Sequence, residues 1–242
     1  MYLRFLQFSV FNPFLRLHST KDLVLTKKPW EYKNGIGELS RETMRLRHRM
    51  IPLLHTANYR KNRAGIGLIE PMYYLYPPEK ESYECTVQYI FAENLMVAPI
   101  TERGDFSKLS EMAVWLPEVK WTDIFTGDIY DVQKNRFVTM VRALDSIPVL
   151  AKSGAVLPFS LDNDNKCENP DKLLLEVYLG KNSYTLYENN GKLVANEGSF
   201  PIRDKRLKDA TNAKTVEMVK NVVMLSILPH REMLRLVEHI CD

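Results

Sequence analysis

Arg16 and His18 stand two residues apart at the close of an apolar run, in FNPFLRLHST, residues 11–20. A guanidinium carries N–H donors in a fixed fork and an imidazole offers both a donor and an acceptor, so the pair is a candidate for substrate contact. From spacing alone, a histidine after a buried strand is more often a packing residue with its polar atoms satisfied than a substrate contact, and both readings stand at this point. Other chemistries have less to work with. Cys85, Cys167 and Cys241 form no C-x-x-C pair and have no histidine at metal-ligand spacing, which argues for reduced thiols in a cytoplasmic protein, with no metal and no cofactor implied. Arginines at 41, 45, 47 and 49 have no glycine-rich or aromatic-interleaved pattern around them, so they read as a solvated helix face or as ion-pair partners rather than as a nucleic-acid surface. Trp30, Trp115 and Trp121 could stack on pyranose rings if exposed, which would make the chain an accessory carbohydrate-binding protein.

The elements that must position these side chains follow from periodicity. YLRFLQFSVF, residues 2–11, puts Leu3, Leu6 and Val10 on one stripe with Phe5 and Phe8 beside it, which predicts a helix with one broad buried face. Asn12-Pro13 ends it, and Phe14 to Leu17 restarts as a short extended piece that delivers His18 at its C-terminal end. A polar loop with Pro29, Gly35 and Gly37 follows. A second helix is expected from about Ser40 to Ala64, N-capped by Ser40, with Glu42 in the first turn, cations at 60, 61 and 63, Gly65 as its stop and a kink at Pro52.

After Gly65 the period changes to short β-branched and aromatic runs parted by Pro, Gly, Asp and Asn, which predicts an antiparallel β-sandwich over residues 66–161. SLDNDNKCENPDK reads as a linker, LLLEVYLGKNSYTLYENNG as a hairpin opening a second, smaller β domain over residues 162–242, NVVMLSIL as a strand and REMLRLVEHI as an amphipathic helix. The predicted class is therefore α+β, mainly β.

Composition bounds the rest. With 45% hydrophobic residues in 242, the chain can bury a substantial core, and 26% charged residues with a net charge of +3 give no electrostatic excess that would call for nucleic acid or an anionic membrane. The longest apolar stretch, Tyr2 to Leu17, carries Arg4, Gln7, Asn12, Pro13 and Arg16. It is too polar and too short to span a bilayer, and no A-x-A-like site follows it as a signal peptide would require.

Six runs in order, LRFLQFSVFNPFLRLHS, RLRHRMIPLLHTANYRKNRAG, PMYYLYP, QYIFAENLMVAPIT, VWLPEVKWTDIFTGDIY and LDSIPVLAKSGAVLPF, resemble the C-terminal part of glycoside hydrolase family 31, the α-glucosidase family. The resemblance covers about residues 2–160, continues through the 170–191 segment and fades after about Phe200. It implies that residues 1–65 are the last helix-strand-helix of a (β/α)8 barrel, followed by a proximal sandwich and a distal, incomplete β domain. Residues 2–11 would then be the seventh barrel helix, Phe14 to Leu17 the eighth strand and residues 40–64 the eighth helix.

Barrel enzymes carry their chemistry at the C-terminal ends of the strands, and His18 would lie at that end of the last one. By the family's pattern this histidine would hydrogen-bond a sugar hydroxyl where the glycosidic bond breaks, Arg16 would brace nearby carboxylates, and Trp30 would lie on a loop near His18, with Trp115 and Trp121 inside the sandwich. Retaining α-glycosidases need a nucleophile carboxylate and an acid/base carboxyl about 5 Å apart. The family's nucleophile stretch, W-x-D-M-N-like, and its acid/base aspartate lie on earlier strands that have no counterpart in this chain. Gly127-Asp128 is expected to be only a turn. A whole barrel takes about 250 residues, so the chain reads as a C-terminal fragment of a retaining α-glucosidase, acting in its parent on an α-linked glucoside or oligosaccharide and inactive alone. A barrel-completing subunit for a partner chain is the alternative. Leu3, Phe5, Leu6, Phe8, Val10, Phe11 and Phe14 would in either case be left exposed and adhesive, each favouring burial by roughly 1.5 to 3 kcal/mol.

Overall fold

The computed structural model of the chain describes residues 1–18, 28–104, 108–161, 170, 173–178, 182–189, 195–202 and 222–226. Helix α1, Tyr2–Val10, forms where the sequence predicts it and buries Leu3, Leu6, Gln7 and Val10. The polar stretch after it is more ordered than a loop: a 3-10 turn covers Pro29–Glu31, and α2 begins at Ile36 and runs to Arg49. Gly35 at φ 79° caps that start, a left-handed geometry that glycine adopts without strain. Ser40 is therefore not an N-cap. It is fully buried inside α2, with its Oγ donating to the Ile36 carbonyl at 2.7 Å.

The expected single kinked helix is two helices. Pro52 has no N–H for the carbonyl four residues back, and its ring crowds that carbonyl. The chain ends α2 at Arg49, turns at Met50 with ψ near 0°, and starts α3, Ile51–Ala64, so that Pro52 lies in the first turn, where no N–H is needed. Gly65 closes α3 as expected, at φ 72° and with its N–H donating to the Lys61 carbonyl at 3.0 Å.

Three short strands build the centre: β1 Ile69–Pro71, β2 Tyr89–Phe91 and β3 Leu95–Val97, with one-turn helices α4 Met72–Leu75 and α5 Glu81–Glu84 between the first two. They are followed by β4 Ser110–Leu116, β5 Lys120–Asp123, β6 Ile129–Asp131, β7 Arg136–Arg142, β8 Val149–Lys152 and β9 Val156–Ser160. A six-stranded antiparallel sheet has the order β1-β2-β3-β8-β5-β6, and β4 and β7 form a separate ribbon paired from Ser110↔Arg142 to Leu116↔Arg136.

The central strands β2, β3 and β8 are buried on both faces. Tyr89, Phe91, Leu95, Val97, Val149 and Ala151 face one core, shared with Val10, Phe11, Met50, Leu53 and Ala57 of the helical part. The intervening Ile90, Met96 and Leu150 face a second core that the ribbon closes with Val114, Trp115, Leu116 and Met140. Burial on both faces explains why these strands read as continuous apolar runs rather than as alternating ones. Trp115 and Trp121 are 0% and 1% exposed. They are core residues and present no ring face to a sugar.

Strand β10, Leu173–Val177, does not form the predicted hairpin with the segment after it. It pairs antiparallel with β9, from Leu173↔Ser160 to Val177↔Val156, and parallel with β13, Val222–Ser226. Both its edges are taken, and its three consecutive leucines are buried, which requires cover on both faces. Strand β11, Asn182–Asn189, pairs instead with β12, Ala195–Ile202. Tyr184 and Leu186 join the same core as α3, so packing continues across the linker between the two expected β domains. Cys167, Cys241 and the predicted helix REMLRLVEHI lie outside the described residues.

The expectation of an adhesive N-terminus needs correction. Leu3, Leu6, Val10 and Phe11 are at most 2% exposed, whereas Phe5 and Phe14 are 61% and 88% exposed. Val10 and Phe11 join the core on one face of the chain's own sheet, and α1 packs along α2.

Candidate functional site

Helix α1 ends in a turn whose main-chain carbonyls all find side-chain donors. The Arg47 guanidinium of α2 donates through Nη1 to the carbonyls of Val10 and Asn12, both at 2.6 Å, and through Nη2 to that of Pro13 at 2.9 Å. Tyr89 of β2 donates its hydroxyl to the Phe11 carbonyl at 2.9 Å, and Asn12 Nδ2 donates to Phe8 at 2.8 Å. The last carbonyls of a helix have no partner within it; here α2 supplies a donor to that of Val10, and α2 and β2 serve the turn carbonyls that follow. Burial holds the Arg47 guanidinium below the usual arginine range and pushes the Tyr89 phenol well above its own.

The turn leads into Phe14 to His18. No strand forms there among the described residues, contrary to expectation, because no neighbouring strand pairs with it. Side chains nonetheless alternate as in a strand: Leu15 and Leu17 are half-buried, while Phe14, Arg16 and His18 are exposed. Leu15 packs against the main core. Arg16 and His18 therefore share the open side with Phe14, anchored through Leu15 and the Arg47 fork.

Trp30 is 77% exposed on its 3-10 turn. That turn docks at the opposite end of α1, where Tyr32 stacks on Tyr2 with centroids 4.1 Å apart. No contact among the described residues joins Trp30 to Arg16 or His18. Arg4 fixes the same N-terminal end to the loop before β8. Its guanidinium donates to the carbonyls of Ala143, at 2.8 Å, and Ser146, and Gln7 Nε2 donates to Leu144 at 2.9 Å.

Carboxylates elsewhere have structural partners. Asp128 accepts from Thr126 Oγ1 at 2.7 Å in the turn between β5 and β6, the role expected for it. Asp123 and Arg142 form a buried ion pair that ties β5 to β7, and Asp123 also accepts from the N–H groups of Phe125 and Thr126 at 2.9 and 3.1 Å. Glu93 accepts from Arg60 Nη1 at 2.5 Å. Burial first and the Glu93 charge second raise the Glu70 carboxyl. Among the described residues, no three His, Cys, Asp or Glu side chains gather as a metal site would require.

The arginine run divides by role. Arg41 and Arg45 pair with Glu38 and Glu42 on the exposed face of α2. Arg49 lies over the Phe159 ring at 5.5 Å, and Arg47 is the brace of the α1 turn. That brace was missed in the sequence, where the one signal is the unpaired carbonyls that Asn12-Pro13 must leave behind.

Comparisons with known proteins fit this arrangement. Residues 1–57 match the glycosyl hydrolases family 31 TIM-barrel domain and residues 65–157 the glycosyl hydrolase family 31 C-terminal domain. An alpha-xylosidase from Saccharolobus solfataricus is 30% identical over 194 residues, covering 79% of this chain and 25% of that protein. Human neutral alpha-glucosidase AB is 25% identical over 181 residues, covering 73% of this chain and 18% of that protein. Among solved structures, the cycloalternan-forming enzyme from Listeria monocytogenes in complex with a pentasaccharide substrate superposes with a TM-score of 0.73 at 25% identity, covering 84% of this chain and 20% of that one. A GH31 dextranase from Flavobacterium johnsoniae complexed with glucose gives 0.69 at 26% identity, covering 78% and 23%. The chain spans about a quarter of the length of the first curated relatives it matches. With the two matches adjoining in chain order, the end of the barrel and then the C-terminal domain, the chain belongs to glycoside hydrolase family 31.

Proposed function

We propose that this chain supplies the closing helix-strand-helix of a retaining α-glycosidase barrel together with the β-sandwich domains that buttress it. His18 contacts a hydroxyl of the sugar at the scissile bond, Arg16 braces carboxylates beside it, and Trp30 contributes a loop contact. The nucleophile and acid/base carboxylates come from polypeptide outside these 242 residues, so the chain alone does not hydrolyse α-glucosides. The observation that carries this reading is the open side shared by Phe14, Arg16 and His18, on a segment braced from α2 and β2 within the stretch that matches the barrel. Its substrates are α-linked glucosides or oligosaccharides, in keeping with the relatives named alpha-xylosidase and alpha-glucosidase. The free Cys85 thiol fits a cytoplasmic location.

A second reading, that the chain completes the barrel of a separate partner, is favoured by Phe5 and Phe14, which are 61% and 88% exposed beside the braced turn. Mixing the chain with a polypeptide bearing the rest of a family 31 barrel tests both. Co-purification and hydrolysis of a chromogenic α-glucoside or α-xyloside, lowered by His18→Ala, are expected. A complex that hydrolyses equally well with His18→Ala would remove the histidine from the sugar site.

A further inference from the structure

The outer side of α3 carries a second constellation. His55, Asn58, Tyr59, Asn62 and Arg63 follow at steps of three, one, three and one, which sets them along one side of a 3.6-residue helix. With Tyr187 of β11 they line an open groove of about 320 Å³, within the range of small-molecule sites. Its wall is held stiff. The Tyr59 ring stacks on Tyr187 with centroids 3.7 Å apart and planes 15° from parallel, His55 meets Tyr187 edge-on at 5.1 Å, and Arg63 lies over Tyr59 at 5.5 Å. The Tyr187 N–H donates to Thr56 Oγ1 at 3.1 Å, which fixes the strand to the helix.

Helix stability does not explain this choice of residues. Asparagine, histidine and tyrosine are all poorer helix formers than alanine, lysine or glutamine, yet Asn58 and Asn62 lie exposed one turn apart, where better formers would fit. No carboxylate lines the groove. Each amide both donates and accepts, as a sugar hydroxyl does, whereas the anionic oxygens of a phosphate only accept and would leave the amide oxygens opposed to them. Neighbouring amides and a guanidinium match neighbouring hydroxyls.

We propose that this groove is a carbohydrate-binding site that takes one or two glucosyl units of an α-linked oligosaccharide. The choice of an α-linked sugar rests on the function proposed above, while the groove's lining shares no residue with Arg16, His18 or Trp30. The test uses the full chain, isotopically labelled, titrated separately with maltose, isomaltose and inorganic phosphate and followed by NMR. At least one disaccharide is expected to give saturable shifts centred on His55, Tyr59, Asn62 and Tyr187. The double variant Asn58→Ala/Asn62→Ala, which raises helix propensity and so keeps the fold, weakens that binding at least tenfold. His18→Ala leaves it unchanged. The proposal is overturned if neither disaccharide shifts these residues, if the double variant binds as the parent does, if the shifts map to His18 and vanish in His18→Ala, or if phosphate alone saturates the groove. The barrel reading is tested by mixing and hydrolysis and does not depend on this result.

Discussion

Replacing Arg47 by alanine removes the fork that holds the end of α1. Three charge-assisted bonds are lost, to the carbonyls of Val10, Asn12 and Pro13 at 2.6, 2.6 and 2.9 Å. Hydrogen bonds involving a charged group contribute about 1.5 to 3 kcal/mol each in mutational series, but the three share one side chain and do not add. Water replaces the guanidinium at the exposed Pro13 carbonyl, and the arginine regains up to about 2 kcal/mol of rotamer entropy in the unfolded chain that alanine never loses. The two bonds near the buried Val10 and half-buried Asn12 dominate, so the net loss should be about 2 to 3 kcal/mol. Arg47→Lys keeps the charge but not the fork, and should recover less than half of it. Urea unfolding followed by circular dichroism measures the global effect. Limited trypsin digestion reads the local one through cleavage after Arg16, which should accelerate at least tenfold if the turn opens before the rest of the chain. A variant that unfolds within about 0.5 kcal/mol of the parent and is cut after Arg16 at the same rate would refute the claim that the fork positions this segment.

The Asp123–Arg142 pair lies between β5 and β7 with both side chains at most 8% exposed; Asp123→Ala strands the guanidinium and should cost about 3 to 5 kcal/mol, so a loss below about 1 kcal/mol by urea unfolding would show that water reaches the site. Burial raises the phenol of Tyr89, and that of Tyr184 to about 12. The unfolded chain gives up these protons near pH 10 while the folded chain keeps them, so stability should hold below pH 10 and fall as pH rises above it. The part of the tyrosinate absorbance that is lost in Tyr89→Phe and Tyr184→Phe should then rise together with loss of circular dichroism, and a rise of that part near pH 10 with the fold intact would contradict the burial. Burial, with Glu84 and Glu81 adding to it, lifts the Cys85 thiol to about 11, so its alkylation at pH 8 should be on the order of 100-fold slower than that of a free cysteine; peptide mass spectrometry at Cys85 decides, and equal rates would contradict it.

How much of this was legible in the sequence depends on where the information lies. The stripe Leu3, Leu6, Val10 was readable because one helix face meets one core, and Gly65 because a left-handed stop nearly requires glycine. The runs around β2, β3 and β8 announced strands, but not that alternate residues serve two different cores, since burial on both faces erases the alternation that reports a face. Pro52 signalled a break without its position. The hairpin expected over residues 173–191 failed because local turn chemistry says nothing about edges already taken by β9 and β13. Arg47 was hidden among four arginines of similar spacing, and only the tertiary approach of α1 tells the brace from its solvated neighbours. His18 was legible as a position, at the end of an apolar run, and its exposure on the same side as Arg16 follows from the two-residue spacing.

The most direct measurement of the central claim is the turnover of a chromogenic α-glucoside by the purified chain, repeated after substitution of its own aspartates and glutamates. No hydrolysis above the rate of buffer is expected from this polypeptide by itself. Hydrolysis that is abolished by replacing two of its own carboxylates would place the catalytic pair inside these 242 residues and contradict it.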